Sequence, residues 1–297
     1  MSDQLSSPPV KVDIRKFVIA SQKNITRVNT KLDAYLANPD IKRIHDIRTA
    51  IRRLDVCCKS LPRKIREKRR IRKYVDKCME VFKINSQIRD LDIITALIRE
   101  NNSKRTSKGW TDLARFGNRR RLKLREAKIV AKGLRKLSVP NINESNVSSC
   151  KLTKKYNKQL HKFSNRIKLN FPLVLIDANK VNKLHELRKD CKELRYLLEL
   201  LPQGNLLDKN LLELEKELQN MQDLLGDIHD CDAAIDFLRR QTKLQKRDDI
   251  IESIIQKRKK RYNDFRDHCK SDTEGNHARS LLFNLPNILF SSEVKKL

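Results

Sequence analysis

The sequence predicts an all-α fold made of two similar sets of four long helices. Lys, Arg, Leu, Ile and Glu dominate its 297 residues, whereas Gly and Pro number only 6 and 8. This composition is typical of long helices and argues against a sheet-rich fold. Apolar residues recur at helical spacing, as in Ile44, Ile47, Ile51 and Leu54. An internal repeat then indicates two sets of helices.

The repeat has an offset of 140 residues and keeps three landmarks in one register. Segment 44–54 recurs degenerately as segment 184–194. Leu61-Pro62 corresponds to Leu201-Pro202, and segment 88–92 corresponds to segment 228–232. Each half therefore carries a His/Arg helix face that is followed by an Asp-x-Asp pair. A duplicated basic face can surround a ligand from two sides.

Residues 1–140 are predicted to form the first four-helix bundle, with helices at 12–37, 41–60, 63–100 and 110–137. Asn38-Pro39 interrupts the chain after the first helix, and Asp40 can cap the second. Leu61-Pro62 ends the second helix. Polar residues 101–109 form a loop before the fourth.

Residues 141–150 are predicted to link the halves, and residues 151–273 to form the second bundle. Its helices are expected at 150–170, 179–201, 208–241 and 244–270, with breaks at Phe171-Pro172 and Leu201-Pro202. Residues 274–297 form a C-terminal tail. Its apolar stretch, 280–290, is too short to span a membrane and is expected to pack on the helices.

The net charge of +30 is concentrated in the first half. Residues 1–140 contain 37 Lys and Arg against 14 Asp and Glu, a net charge of +23, which leaves +7 for residues 141–297. Such a field attracts polyanions, namely nucleic acid, anionic lipid or a phosphate polymer. The charge alone does not distinguish a defined site from a generally adhesive surface.

The seven cysteines form no regular framework and no CxxC pair. We therefore expect reduced, mostly buried thiols in a cytoplasmic protein. No stretch of 18 apolar residues and no signal pattern is present, so no membrane association is expected.

Two equivalent helix faces are the main candidates for a binding site. One carries His45, Arg48, Arg52 and Lys59, and the other carries His185, Arg188, Lys192 and Arg195. Each face lies beside the apolar arc of its helix. A solvated basic surface is the simpler interpretation, but the repetition and the position at the edge of the core favour a ligand site.

Two further basic surfaces follow from periodicity. A continuous third helix would align five cations, and like charges at these spacings repel one another unless a polyanion neutralises them. These five are Arg63, Arg66, Arg70, Lys73 and Lys77. On the fourth helix, Arg119, Arg120 and Lys123 point towards the apolar arc and could line an interior channel.

The aspartates Asp90, Asp92, Asp230 and Asp232 allow two interpretations. They could hold a divalent cation, or they could pair with Arg48, Arg52, Arg188 or Lys192 and fix their rotamers. The basic setting favours ion pairing, and no metal site or cofactor is predicted, although a phosphate polymer can bring a divalent cation with it. No nucleophile and base stand at a diagnostic spacing, so no catalytic residue is predicted.

These motifs together resemble the CHAD family, the conserved histidine α-helical domain, over about residues 12–270. The resemblance rests on His45-x-x-Arg48-x-x-x-Arg52, its copy His185-x-x-Arg188-x-x-x-Lys192, and both Asp-x-Asp pairs. It implies two pseudo-two-fold-related four-helix bundles around a central basic groove that binds inorganic polyphosphate. The matching motifs place seven residues near the ligand: His45, Arg48, Arg52, His185, Arg188, Lys192 and Arg195. Glu193 and Glu199 depart from the first copy, which has Arg53 and Lys59 there.

We therefore expect a non-enzymatic protein that binds long-chain inorganic polyphosphate in a lopsided groove. A nucleic-acid-binding protein is one alternative, but aromatic residues are only 5% and none lies within the basic faces. A metal-dependent hydrolase of polyphosphate or phosphoesters is another, and it would need the four aspartates free to hold Mg²⁺.

Overall fold

The structure, a computed structural model, describes residues 10–101, 107–201, 209–241 and 247–270 together with Ser280. Every regular element in these residues is a helix, which confirms the all-α class. The eight long helices are α1 Ile14–Ala37, α2 Ile41–Ser60, α3 Arg69–Asn101, α4 Ser107–Arg135, α5 Ser149–Ile176, α6 Val181–Leu198, α7 Lys209–Arg239 and α8 Arg247–Lys270. Short helices at Arg63–Arg66 and Glu144–Asn146 precede α3 and α5. The predicted tail, 274–297, lies outside the described residues apart from Ser280.

Helix α2 occupies its predicted range because both of its ends are fixed locally. The Asp40 side chain accepts a 2.7 Å hydrogen bond from the backbone N–H of Arg43, as expected of an N-cap. At the other end the backbone N–H of Leu61 donates to the Cys58 carbonyl just before Pro62. Most other predicted helix ends lie within three residues of the observed ones.

The third predicted helix is not continuous, which corrects one expectation. The chain leaves helical geometry at Glu67 and Lys68, between the short helix Arg63–Arg66 and α3. On an unbroken helix Ile65 and Ile71 would point about 120° apart, yet both are buried. The break lets both isoleucines reach the core. As a result, Arg63 and Arg66 do not share a helix with Arg70, Lys73 and Lys77.

Helix α5 continues through Pro172, where a break was predicted, and ends at Ile176. An internal proline removes one backbone hydrogen bond and costs about 3 kcal/mol. Phe171 and Val174, on either side of it, are buried in the core. Their packing explains why the helix is kept for its last turn.

The two halves share one core. Helices pack mainly on their sequence neighbours, and the halves meet where α2 and α3 face α6 and α7. The larger buried apolar cluster contains residues of both halves, such as Leu54 and Leu194. The predicted linker contributes Ile142 and Val147 to the same cluster. The division into two bundles stays a prediction, and both buried apolar clusters of the described residues contain side chains of both halves.

All seven cysteines are free, and only Cys150 is exposed. The expectation of mostly buried thiols is therefore confirmed, whereas their reduced state and a cytoplasmic location stay predictions. No described helix has the length and apolar character needed to cross a membrane.

Replacing Ile47 by Ala should lower the free energy of unfolding by about 2–5 kcal/mol, because it leaves a cavity at a fully buried position. Ile41→Ala on the same helix is the matched control, since Ile41 is 53% exposed, and its effect should stay within about 0.5 kcal/mol. Urea unfolding followed by circular dichroism measures both values. Similar losses for the two variants would contradict this assignment of the core.

Candidate polyanion cavity

A cavity of about 710 Å³ lies between the two halves. Helices α1, α2 and α3 form one wall, and α6 and α7 form the other. Five aspartates line it: Asp46, Asp90, Asp223, Asp227 and Asp230. Its cationic side chains number nine: Arg27, Lys31, Arg48, Arg52, Arg53, Arg89, Arg188, Lys192 and Arg195.

Both repeat-related helix faces contribute to this cavity. Of the predicted binding residues, it is lined by His45, Arg48, Arg52, Arg188, Lys192 and Arg195. His185 lies just behind the wall, where its Nδ1 is 3.0 Å from Nδ1 of His229, a lining residue. The two copies of the histidine differ, because the His45 side chain is 62% exposed.

The other predicted cations lie outside the cavity. Lys59, Lys77 and Lys123 pair with acids one turn away on their own helices. The Arg119 guanidinium lies over the Phe237 ring, 5.6 Å from its centroid. Arg120 pairs with Asp92, as described below. The other four are exposed or half-buried: Arg63 and Arg66 on the short helix Arg63–Arg66, and Arg70 and Lys73 at the start of α3.

The two aspartates of each Asp-x-Asp pair have different surroundings. The ion-pair partners predicted for Asp92 and Asp232 are wrong. Asp92 accepts a 2.5 Å hydrogen bond from Arg120 Nε. Asp232 accepts one from Arg258 Nε. Both arginines come from the last helix of their own half. Because Arg120 pairs with Asp92, it does not line an interior channel as predicted. These two ion pairs could not be predicted from the sequence, because Arg120 and Arg258 lie outside the repeated segments.

The first aspartate of each pair, Asp90 or Asp230, lines the cavity instead. Burial raises the pKa of Asp90, and the nearby Arg48 partly opposes that shift. Burial likewise raises the pKa of Asp230, with Arg188 as the main opposing charge. Arg48 and Arg188 are thus the main cations that act on these two carboxylates, but neither Asp90 nor Asp230 is seen to form an ion pair with a described residue, so their predicted pairing stays a prediction.

Arg48 and Arg188, which are equivalent in the repeat, are both incompletely satisfied. The Nε atom of each is buried and has no hydrogen-bond partner among the described residues. Arg48 and Arg52 lie over the Phe82 ring, 5.4 and 4.9 Å from its centroid. This apolar support orients the guanidiniums of Arg48 and Arg52.

Burial and the neighbouring cations lower the pKa values of three side chains in the cavity. Burial, followed by Arg188, Arg52 and Arg48, lowers the pKa of Lys192 to about 6. Burial and then Arg52 lower the pKa of Arg48 to about 10. Burial and then Arg188 lower the pKa of His229 to about 3. All three shifts disfavour positive charge, and an anion in the cavity would reverse their electrostatic part.

The two acidic departures of the second repeat face cations of the first half. Glu199 accepts hydrogen bonds from Arg53 Nε at 2.7 Å and from Arg195 Nη1 at 3.1 Å. Both guanidiniums lie over the Tyr196 ring. Glu193 is close enough to Lys59 for that lysine to oppose the rise in the glutamate's pKa, which burial causes. We call the group Arg53, Arg195, Tyr196 and Glu199 the inter-half clamp.

Several lining residues were missed by sequence reasoning. Arg89 and His229 are equivalent across the repeat and lie beside Asp90 and Asp230, so the repeat itself was a usable signal. Arg27 and Lys31 on α1 gave no such signal, because the equivalent positions in α5 are Ile167 and Phe171. With six of its nine cations in the first half, the cavity is lopsided, as predicted.

The described residues contain no group of three or more His, Cys, Asp or Glu side chains that could hold a metal ion. The sites of Asp92 and Asp232 are taken by arginines. The cavity lining offers guanidinium, ammonium and imidazole groups together with five carboxylates.

Comparisons with known proteins agree with this geometry. The family model described as "CHAD domain" matches residues 20–239. The crystal structure of the CHAD domain from the plant Ricinus communis is similar, with a TM-score of 0.57 and 14% identity over 95% of this chain and 96% of that one. A search of curated proteins finds no match. Because the family model covers well over half of the sequence, the chain belongs to the CHAD family, which is generally linked to polyphosphate binding.

Proposed function

We propose that this protein binds long-chain inorganic polyphosphate in the central cavity and does not hydrolyse it. The observation that carries the proposal is the pair Arg48 and Arg188, which are equivalent in the repeat. Both line the cavity together with seven further Lys and Arg side chains, and the buried Nε atom of each has no hydrogen-bond partner among the described residues. Membership of the CHAD family supports the same ligand class.

The chemistry of the lining favours a dense anion. Guanidinium groups donate two parallel hydrogen bonds to phosphate oxygens, and lysine adds a point charge. Eight arginine and lysine side chains besides Lys192 line the cavity against five carboxylates, so the lining carries more cationic than anionic groups. A phosphate polymer carries a negative charge on every unit, so it can satisfy several of these groups at once.

The cavity offers little to a nucleobase. Single-stranded nucleic acids bind through aromatic faces on which bases stack. Tyr196 lines the cavity, but the residue is only 4% exposed and its ring lies beneath the guanidiniums of Arg53 and Arg195. A ligand without bases fits this surface better.

The first prediction concerns Arg48→Gln combined with Arg188→Gln. The loss of two charge-assisted hydrogen-bonding groups should weaken polyphosphate binding by about a hundredfold or more, at about 1.5–3 kcal/mol for each. The slope of log affinity against log salt should also fall by about 2. Isothermal titration calorimetry at several salt concentrations measures both quantities.

The matched control is Arg63→Gln combined with Arg70→Gln, which removes the same charge from the exposed surface outside the cavity. Its affinity should change by about threefold or less, since exposed charges are screened. Circular dichroism establishes that both double variants are folded. Equal losses in the two would mean that overall charge, not the cavity, determines affinity.

A second prediction concerns competing polyanions. Long-chain polyphosphate should displace single- and double-stranded DNA from the protein at about 150 mM salt. Its own affinity should fall on the order of a thousandfold between about 50 and 200 mM salt, because binding releases counterions. Fluorescence anisotropy with labelled DNA measures the displacement. DNA that binds as tightly as polyphosphate would favour the nucleic-acid-binding alternative.

A third prediction separates binding from hydrolysis. With Mg²⁺ present, the protein should release no orthophosphate from polyphosphate, and Asp90→Asn with Asp230→Asn should bind a few-fold more tightly because two negative charges leave the cavity. A colorimetric phosphate assay and calorimetry measure these outcomes. Orthophosphate release that is lost in the double variant would instead identify a metal-dependent hydrolase.

A further inference from the structure

Lys192 lines the cavity together with Arg48, Arg52 and Arg188. Arg48 and Arg52 act on its ammonium group from α2, and Arg188 precedes it by one turn on α6. Asp230 on α7 opposes these charges, but it also interacts with Arg188. Lys192 is not seen to form an ion pair with any described residue, so it has no carboxylate of its own.

Within this cluster, lysine is the group able to lose its charge. A guanidinium does not deprotonate in proteins, whereas a lysine amine readily does when it is buried among like charges. Burial, followed by the three arginines, lowers the pKa of Lys192 to about 6. At neutral pH the amine of the empty cavity is therefore largely neutral.

We propose that Lys192 takes up a proton as a phosphate polymer enters the cavity, so that ligand binding and the charging of this side chain are coupled. The inference rests on the proposed function, because it takes the polymer as the anion. Phosphate oxygens near the amine stabilise its charged form and raise its affinity for a proton. The cavity thus gains positive charge only when an anion is present to neutralise it.

The sign of the pH effect follows from the same coupling. Between the pKa of Lys192 in the free protein and its higher value in the complex, the complex holds more protons, so affinity falls as pH rises. The limiting change is about tenfold per pH unit for one proton. Below about pH 6 the amine of Lys192 is already charged in the free protein. Lys192 then no longer contributes to the change of affinity with pH.

Other titratable groups of the cavity act outside this window or are common to the control. Burial and then Lys189 and Arg188 lower the pKa of His185, and the pKa of His229 is about 3, so both imidazoles are largely neutral in the free protein at pH 7.5. The terminal phosphates of the polymer titrate near pH 6, by analogy with phosphate monoesters. Because Lys192→Arg keeps the histidines and the same polymer, comparison with this variant isolates the proton of Lys192.

The first test uses the free protein and therefore does not depend on polyphosphate. Trace acetylation with acetic anhydride between about pH 5 and 9, read by mass spectrometry, follows the neutral fraction of each lysine. Lys192 should reach half of its maximal reactivity near pH 6, far below the ordinary range of a lysine. The exposed Lys189 on the same helix is the reference. Identical pH profiles for the two lysines would overturn the proposal, whatever the protein binds.

The second test is calorimetry of polyphosphate binding at pH 7.5 in two buffers with different enthalpies of ionisation. The native protein should take up roughly one proton more than Lys192→Arg, and Lys189→Arg should behave like the native protein. Tight binding with equal proton uptake in all three would overturn the coupling and leave the proposed function standing. If the native protein fails to bind polyphosphate, the proposed function fails, and the coupling fails with it.

Discussion

The cavity depends on one constraint, which is that like charges must be held together in a partly buried space. Mutual repulsion and lost hydration both oppose this arrangement. The helices that carry the cations also carry the core, so Ile47 and Ile51 are fully buried on α2, where Arg48 and Arg52 line the cavity. Hydrophobic packing along α2 and α6 therefore provides the free energy that keeps the guanidiniums in place.

Much of this arrangement could be predicted from local signals. Asp40 and Pro62 defined α2, and the offset of 140 residues paired Arg48 with Arg188. The break at Glu67 and the passage of α5 through Pro172 could not be predicted, because burial of distant side chains decides both. The same holds for Arg27 and for the pairing of Asp92 with Arg120, which depend on how separate helices meet rather than on any periodic pattern.

The acidic departures of the second repeat acquire a role in the folded chain. Read along the sequence, Glu199 weakens the basic face of its half. In three dimensions it joins Arg53 of one half to Arg195 of the other, above a buried tyrosine. The second copy thus carries an acid where the first carries Lys59, and this acid forms part of the inter-half clamp.

The buried linker residues Ile142 and Val147, together with the inter-half clamp, fix the two halves at separate places. Both contacts oppose a separation of the two halves. The cationic side chains of the cavity are brought together when the chain folds, so their mutual repulsion is part of the cost of folding. Under the proposed function, a flexible phosphate polymer would have to adapt its conformation to this arrangement, and the loss of its conformational entropy would oppose association.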